Sequence, residues 1–194
     1  MDGISTSGAA EWLLVRHAPR AEPHRLAGRT DLPAELPEAG ALSAVASLIG
    51  PFDHLVSSPA LRCRQTAEAL FPDREAVLDA RLWEQDFGDW DGRAHSDIPD
   101  IGAMGRAALA AHCPPGGESF LDMARRALPA LIALPAGRSL IVAHAGTVRA
   151  ALGHALGDLA AGLAFEVAPL SATLIRALPG GAFSIGFVNR CAAR

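Results

Sequence analysis

Three places in this 194-residue chain put versatile side chains directly after a short apolar run. Arg16-His17 follows Trp12 to Val15, Ser57 to Arg62 follows Phe52 to Val56, and His144 follows Ser139 to Ala143. An imidazole, with a free pKa of about 6.5, can serve near neutral pH as nucleophile, base or metal ligand. A guanidinium stays charged, and its planar fork donates to two oxygens at once, so arginine beside histidine suits an oxyanion. Taken singly, each residue has a plainer reading. A histidine after an apolar run is usually a hydrogen-bonded, partly buried polar group, and a helix arginine is usually solvated. A metal centre built from His17, His144 and Glu84 competes. It is disfavoured because arginines repel a cation and no closely spaced ligand pair exists.

The apolar runs are short and continuous, as in strands buried on both faces of a parallel sheet. Helices are expected over 59/60–70, 36–49, 119–134 and 146–156. Pro37 lies near a helix start, Gly50-Pro51 and Gly157 act as stops, and Ser119 serves as a cap. Pro129 should kink or split the third of these. Residues 172–178 and 182–188 flank Pro179-Gly180-Gly181 and read as a hairpin. This alternation predicts a three-layer α/β/α sandwich with a mostly parallel central sheet. Open sheets of this kind bind ligands at the carboxyl ends of their strands. If the three strands are neighbours, two histidines and two arginines converge at one rim.

Composition narrows the alternatives. Half the residues are hydrophobic and 20% are charged, which excludes a disordered chain. The net charge of −4 argues against a general nucleic-acid binder. All 17 basic residues are Arg, so arginine in general carries little information and each position needs its own argument. No apolar stretch is long enough to span a bilayer, and the segment before Trp12 lacks a signal-peptide pattern. Three scattered cysteines, Cys63, Cys113 and Cys191, give no disulfide framework or zinc cage. The expectation is a cytoplasmic protein with a flexible N-terminus over 1–10 and a single domain over 11–194.

Six segments, in order, carry a specific resemblance: Leu14-Val15-Arg16-His17, Gly28 to Pro33, Ser57 to Ala67, Arg81 to Gly92, Pro115 to Ser119, and Ala143 to Arg149. Together they resemble the signatures of the histidine phosphatase superfamily, also called phosphoglycerate mutase-like. The resemblance implies that fold, and a phosphomonoester hydrolase needing neither metal nor cofactor. It implies His17 as the nucleophile that takes the phosphoryl group. Arg16, Arg62, His144 and Arg29 would be phosphate ligands, with His144 also catalytic. Glu84 would be the proton donor and then the base for water, a role that needs a carboxyl whose pKa burial has raised. Arg29 has an alternative, an ion pair with Asp31. Trp83, Phe87 and Trp90 are expected in the core, and Gly88 and Gly92 in turns.

The sequence departs from the family pattern at Ala18, at Pro19-Arg20 where a Glu-Thr pair is common, and at Ala143 and Ala145. A hydroxyl contact after His17 is therefore lost, with Arg20 or the backbone as substitutes. The segment from Arg93 to Cys113 reads as a short substrate-facing cap. The motif set looks most like bacterial α-ribazole phosphatases, which implies a small-molecule phosphate ester such as α-ribazole 5'-phosphate, with no nucleic-acid or membrane partner. The apolar stretch from Leu163 to Leu178 leaves a homo-oligomer open. The alternatives are mutase-type phosphoryl transfer and a catalytically idle phosphate-binding or interaction module.

Overall fold

Alternation along the buried strands decides the layers. Leu13 and Val15, with Leu140, Val142 and Leu174, join one apolar cluster. Trp12 and Leu14, with Ile141, Ala143 and Ile175, join the other. Successive side chains of a strand point to opposite faces, so a strand apolar at every position must be covered twice.

The computed structural model describes residues 10–192. Its strands are β1 (Ala10–Arg16), β2 (His54–Ser57), β3 (Val77–Leu78), β4 (Gly137–Ala143), β5 (Ala172–Ala177) and β6 (Phe183–Arg190). They form one sheet in the order β3-β2-β4-β1-β5-β6. The β3-β2, β2-β4 and β4-β1 pairings are parallel, and β5 is antiparallel to both neighbours. Helices α1 (Ala39–Ile49) and α2 (Leu61–Leu70) supply Val45, Ile49, Cys63 and Ala67 to one face. After the short α3 (Arg106–Ala111), helices α4 (Phe120–Ile132) and α5 (Ala145–Ala155) supply Met123, Ala127, Val148 and Leu152 to the other. The mixed, largely parallel sheet between two helical layers is the expected architecture. Among the described residues no helix is long and apolar enough to cross a membrane. The N-terminal segment expected to be flexible lies, apart from Ala10, outside the described residues. Ala10 is already in β1, paired with Gly137.

Two local expectations are corrected. Of the kink or split expected at Pro129, the split does not occur: α4 runs unbroken from Phe120 to Ile132. Pro129 and Arg125, whose carbonyl loses its i+4 donor, both lie on the exposed face, where water can satisfy that carbonyl. Helix α1 starts at Ala39, after Pro37, because Glu38 is extended at φ −59°, ψ 154°. The Ser119 cap is present as a full capping box with Asp122. The β5-β6 hairpin turns through Pro179–Gly181.

Candidate active site

The three strands that carry the candidate residues are adjacent, β1-β4-β2, and end in register. Arg16 pairs with Ala143, and Ser57 with Val142. The next residues of each strand therefore emerge side by side. The His17 amide donates to the Ala143 carbonyl at 2.9 Å, and the Ser58 amide to the Val142 carbonyl at 3.0 Å. The His17 and His144 rings stand edge to face with centroids 5.3 Å apart. Both are buried, at 4% and 0% exposure.

The His17 ring has a defined tautomer. Its Nδ1 lies 2.6 Å from the Ala18 carbonyl oxygen, which can only accept, so Nδ1 carries the hydrogen. Burial first, and then the Arg62 charge, hold the His17 pKa down to about 3. The ring is therefore neutral at pH 7, and Nε2 keeps its lone pair. The Ala18 amide donates to Thr66 Oγ1 at 2.9 Å, and that hydroxyl donates to the Arg62 carbonyl at 2.6 Å, fastening the His17 loop to α2. The methyl group at Ala18 is fully buried without disturbing this bond. His144 is also held well below its usual pKa by burial, with Arg62 next. Its Nε2 lies 2.9 Å from Ser58 Oγ, and the Cys63 thiol rests against the ring at 3.6 Å.

Arg62 is the largest fully buried side chain. It stands in the first turn of α2, where the helix dipole already disfavours a cation. Its guanidinium donates to the carbonyls of Gly28 at 3.0 Å, Thr30 at 3.2 Å and Ala27 at 3.4 Å. Those carbonyls are aimed because Asp91 gathers the amides of Gly28, Arg29 and Thr30 on one carboxylate. Arg16 donates to the Val167 carbonyl at 2.6 Å. Burial lowers the Arg16 pKa, Glu84 opposes that shift, and Arg20, Arg149 and Arg62 add to it. Neither Arg16 nor Arg62 forms an ion pair among the described residues, and the Nε of each is buried without a partner there. Two cations without counter-ions at one rim, Arg62 fully buried and Arg16 half-buried, suit an anion and repel a metal ion.

Glu84 arrives from a different quarter, on the loop after the turn Ala80–Leu82. Its Oε1 accepts from the Gln85 amide at 3.0 Å, and its Oε2 from the Gly146 amide at 3.3 Å, at the start of α5 and two residues from His144. A Cβ on Gly146 would lie 2.2 Å from Glu84 Oε1, so only glycine admits the carboxylate here. The loop is laced to α4. Arg126 donates to the carbonyls of Arg81, Trp83 and Glu84 and pairs with Glu118. Glu118 in turn accepts from the Asp86 amide at 3.0 Å.

Five of the six candidate residues thus share one neighbourhood. Arg29 is engaged by the loop that carries Glu84. Its guanidinium lies over Trp83 at 5.6 Å, with Asp86 and Glu118 each 3.9 Å away, and its ion-pair partners are these rather than Asp31. The Asp31 carboxylate instead accepts from the Leu61 amide. Trp83, Phe87 and Trp90 are half-buried: Trp83 packs against one core cluster and lies under Arg29, and Trp90 stacks on His112 at 5.6 Å. Gly88 and Gly92 adopt φ of +53° and +77°, as turns require. Ser58, Thr66, Asp91, Arg126 and Gly146 all lie in or beside the motif segments or α4, yet their types alone gave no role. Only their hydrogen bonds do.

A doubly wound sheet with neutral histidines and unpaired arginines at its carboxyl rim defines an anion-handling α/β enzyme. The pattern of the histidine phosphatase superfamily (branch 1) matches residues 12–189, and the chain belongs to that family. The curated relatives it matches are named phosphatases, consistent with a phosphoric monoester hydrolase. The chain is 35% identical over 153 residues to glucosyl-3-phosphoglycerate phosphatase of Mycobacterium tuberculosis, covering 68% of this chain and 67% of that protein. The protein of that name from Mycolicibacterium vanbaalenii is 33% identical over 120 residues, so the match spans about half (53%) of each. Among solved structures, a mycobacterial glucosyl-3-phosphoglycerate phosphatase in complex with VO3 superposes with a TM-score of 0.80 at 25% identity, covering 93% of this chain and 98% of that one.

Proposed function

We propose that the chain hydrolyses a small-molecule phosphate monoester through a phosphohistidine on His17. The observation that carries this reading is the His17 ring itself, neutral, with Nδ1–H committed to the Ala18 carbonyl and a lone pair left on Nε2 beside two unpaired arginines. In the first step Nε2 attacks phosphorus and the ester P–O bond breaks. Glu84 passes its proton to the leaving oxygen. In the second step water attacks the phosphoryl group, the P–N bond breaks, and the Glu84 carboxylate takes the proton from that water. Arg16, Arg62 and His144 hold the phosphoryl oxygens through both steps. Phosphoryl transfer depends mainly on positioning and charge stabilisation, which this cationic rim supplies. Arg29 would join as an outer phosphate ligand only by leaving Asp86 and Glu118.

Water is favoured over a second alcohol as acceptor because only about twenty residues separate Gly92 from Pro114. That leaves little chain to cover the site. The curated relatives support glucosyl-3-phosphoglycerate as substrate, while the motif set supports α-ribazole 5'-phosphate. The three unpaired cysteines suit the cytoplasm. The test is phosphate release from p-nitrophenyl phosphate with a strong chelator present. Activity in the wild type that disappears in His17→Ala supports the proposal; activity unchanged in that variant refutes it. The two physiological candidates are then ranked by kcat/KM.

A further inference from the structure

A third guanidinium stands at the rim without a counter-ion. Arg20 lies three residues after His17. Its backbone is fixed by an antiparallel bridge to Ala34, with the Ala21 amide donating to the Pro33 carbonyl at 2.9 Å and the Glu35 amide to the Pro19 carbonyl at 2.7 Å. One Nη of Arg20 donates to the Arg25 carbonyl. The same short loop, 25–30, thus anchors both Arg20 and Arg62. Arg20 forms no ion pair among the described residues, and its Nε is buried without a partner there. The neighbouring Arg25 reaches Glu22, so an acid is available nearby, yet Arg20 does not use one. Burial and the Arg62 charge both push the Arg20 pKa down, and Glu84 pushes it up, so the group lies within electrostatic reach of the site.

Holding three guanidiniums together costs free energy that an anion would offset. In the phosphatase reading, Arg16, Arg62 and His144 hold the oxygens of one phosphoryl group. The third fork is surplus to that group.

Resting on the phosphatase reading above, we infer that Arg20 binds a second anionic group of the substrate, a carboxylate or a further phosphate near the ester that is cleaved. Arg20 is then a specificity-determining residue that selects phosphorylated acids or bisphosphates over phosphorylated neutral alcohols.

The experiment uses two matched pairs. The first is 3-phosphoglycerate against glycerol 3-phosphate, which differ by a carboxylate. The second is fructose 1,6-bisphosphate against fructose 6-phosphate, which differ by a phosphate. Whichever pair shows the larger ratio of kcat/KM identifies the second group. The wild type is expected to favour the more anionic member by at least about tenfold, as a charge-assisted pair allows. Arg20→Gln should bring that ratio to within about threefold of unity, and Arg20→Lys should restore part of it. Equal losses on both members of a pair would make Arg20 a ligand of the cleaved phosphoryl group or a fold element, and would overturn the inference. So would an unchanged ratio. The phosphatase reading is tested separately, by whether hydrolysis of any of the four requires His17. Calorimetric binding of the same pairs to His17→Ala reads the preference without turnover. Equal affinities within both pairs there overturn the inference whatever the kinetics.

Discussion

The sheet rim and the loop that faces it are built by different means. At the rim, Arg16 ends β1, and His17 and His144 follow directly from β1 and β4, so their places are fixed by strand register and a core packed on both faces. Glu84 sits on a loop with no regular structure on either side beyond short turns. It is placed by polar ties: Arg126 to three carbonyls, Glu118 to Arg126 and to Asp86, and Gly146 to the carboxylate itself. The difference separates two tasks. Phosphoryl binding needs fixed charge in a dry, rigid place, which the sheet provides. Proton transfer needs one carboxyl that can reach the leaving oxygen and then a water, and a polar-tethered loop can be adjusted without disturbing the core.

This division can be attacked from either side. Glu84→Gln should lower kcat/KM for alkyl phosphates by about 10²–10⁴-fold. It should cost far less for p-nitrophenyl phosphate in the first turnover, because that leaving group needs little protonation. An equal loss on both substrates in single-turnover assays would tie Glu84 to phosphoryl binding and merge the two regions. Arg62→Met should cost about 10²–10³-fold with both classes of ester, and should weaken vanadate or phosphate binding measured by Trp fluorescence. If binding survives intact, the rim does not hold the anion.

Arg126→Met is the matching test of the loop. It removes three carbonyl ties and the Glu118 pair, and should lower kcat roughly tenfold through misplacement of Glu84 while leaving phosphate affinity nearly unchanged. A larger effect on affinity than on kcat would contradict its assignment as a positioning residue. The smallest expected effect is on stability. His17 and His144 are neutral in the fold, whereas an unfolded histidine takes a proton below about pH 6.5. Their folded pKa values are depressed, so the stability they contribute is present above about pH 6.5 and is lost as pH falls, for His17 toward about pH 3. The slope corresponds to at most one extra proton per histidine in the unfolded chain, roughly 1 kcal/mol for each pH unit. Urea unfolding at pH 7 and pH 5 should show this decline, and His17→Asn should make it shallower. An identical decline in the variant would mean that His17 is charged in the fold.

The two regions also differ in how much of them the sequence discloses. Apolar runs at 12–15, 52–56 and 139–143 mark the strands, and the polar residues that end them mark the rim, because strand burial imposes a pattern on consecutive residues. Glu84 has no such pattern around it, and only the resemblance at Arg81 to Gly92 singles it out. The ties that hold it, from Arg126 and Gly146, join positions far apart in sequence and leave no local trace. Arg29 shows the same limit in reverse. Asp31 is its nearest acid in sequence, but the chain turns so that Asp31 meets the Leu61 amide while Arg29 meets Asp86 and Glu118. The half-buried tryptophans give a mixed outcome: Trp83 packs against one core cluster, while Trp90 stacks on His112 beside the loop that carries Glu84.

The central claim is that His17 Nε2 takes the phosphoryl group. Its most direct test is to mix Glu84→Gln with p-nitrophenyl phosphate, quench rapidly in base, in which phosphohistidine survives, and weigh the intact protein and its peptides. The expected result is one added phosphoryl group on the peptide that contains His17, formed in step with the first turnover of p-nitrophenolate. A full first turnover with no added mass, or with the phosphoryl group on another residue, would contradict it.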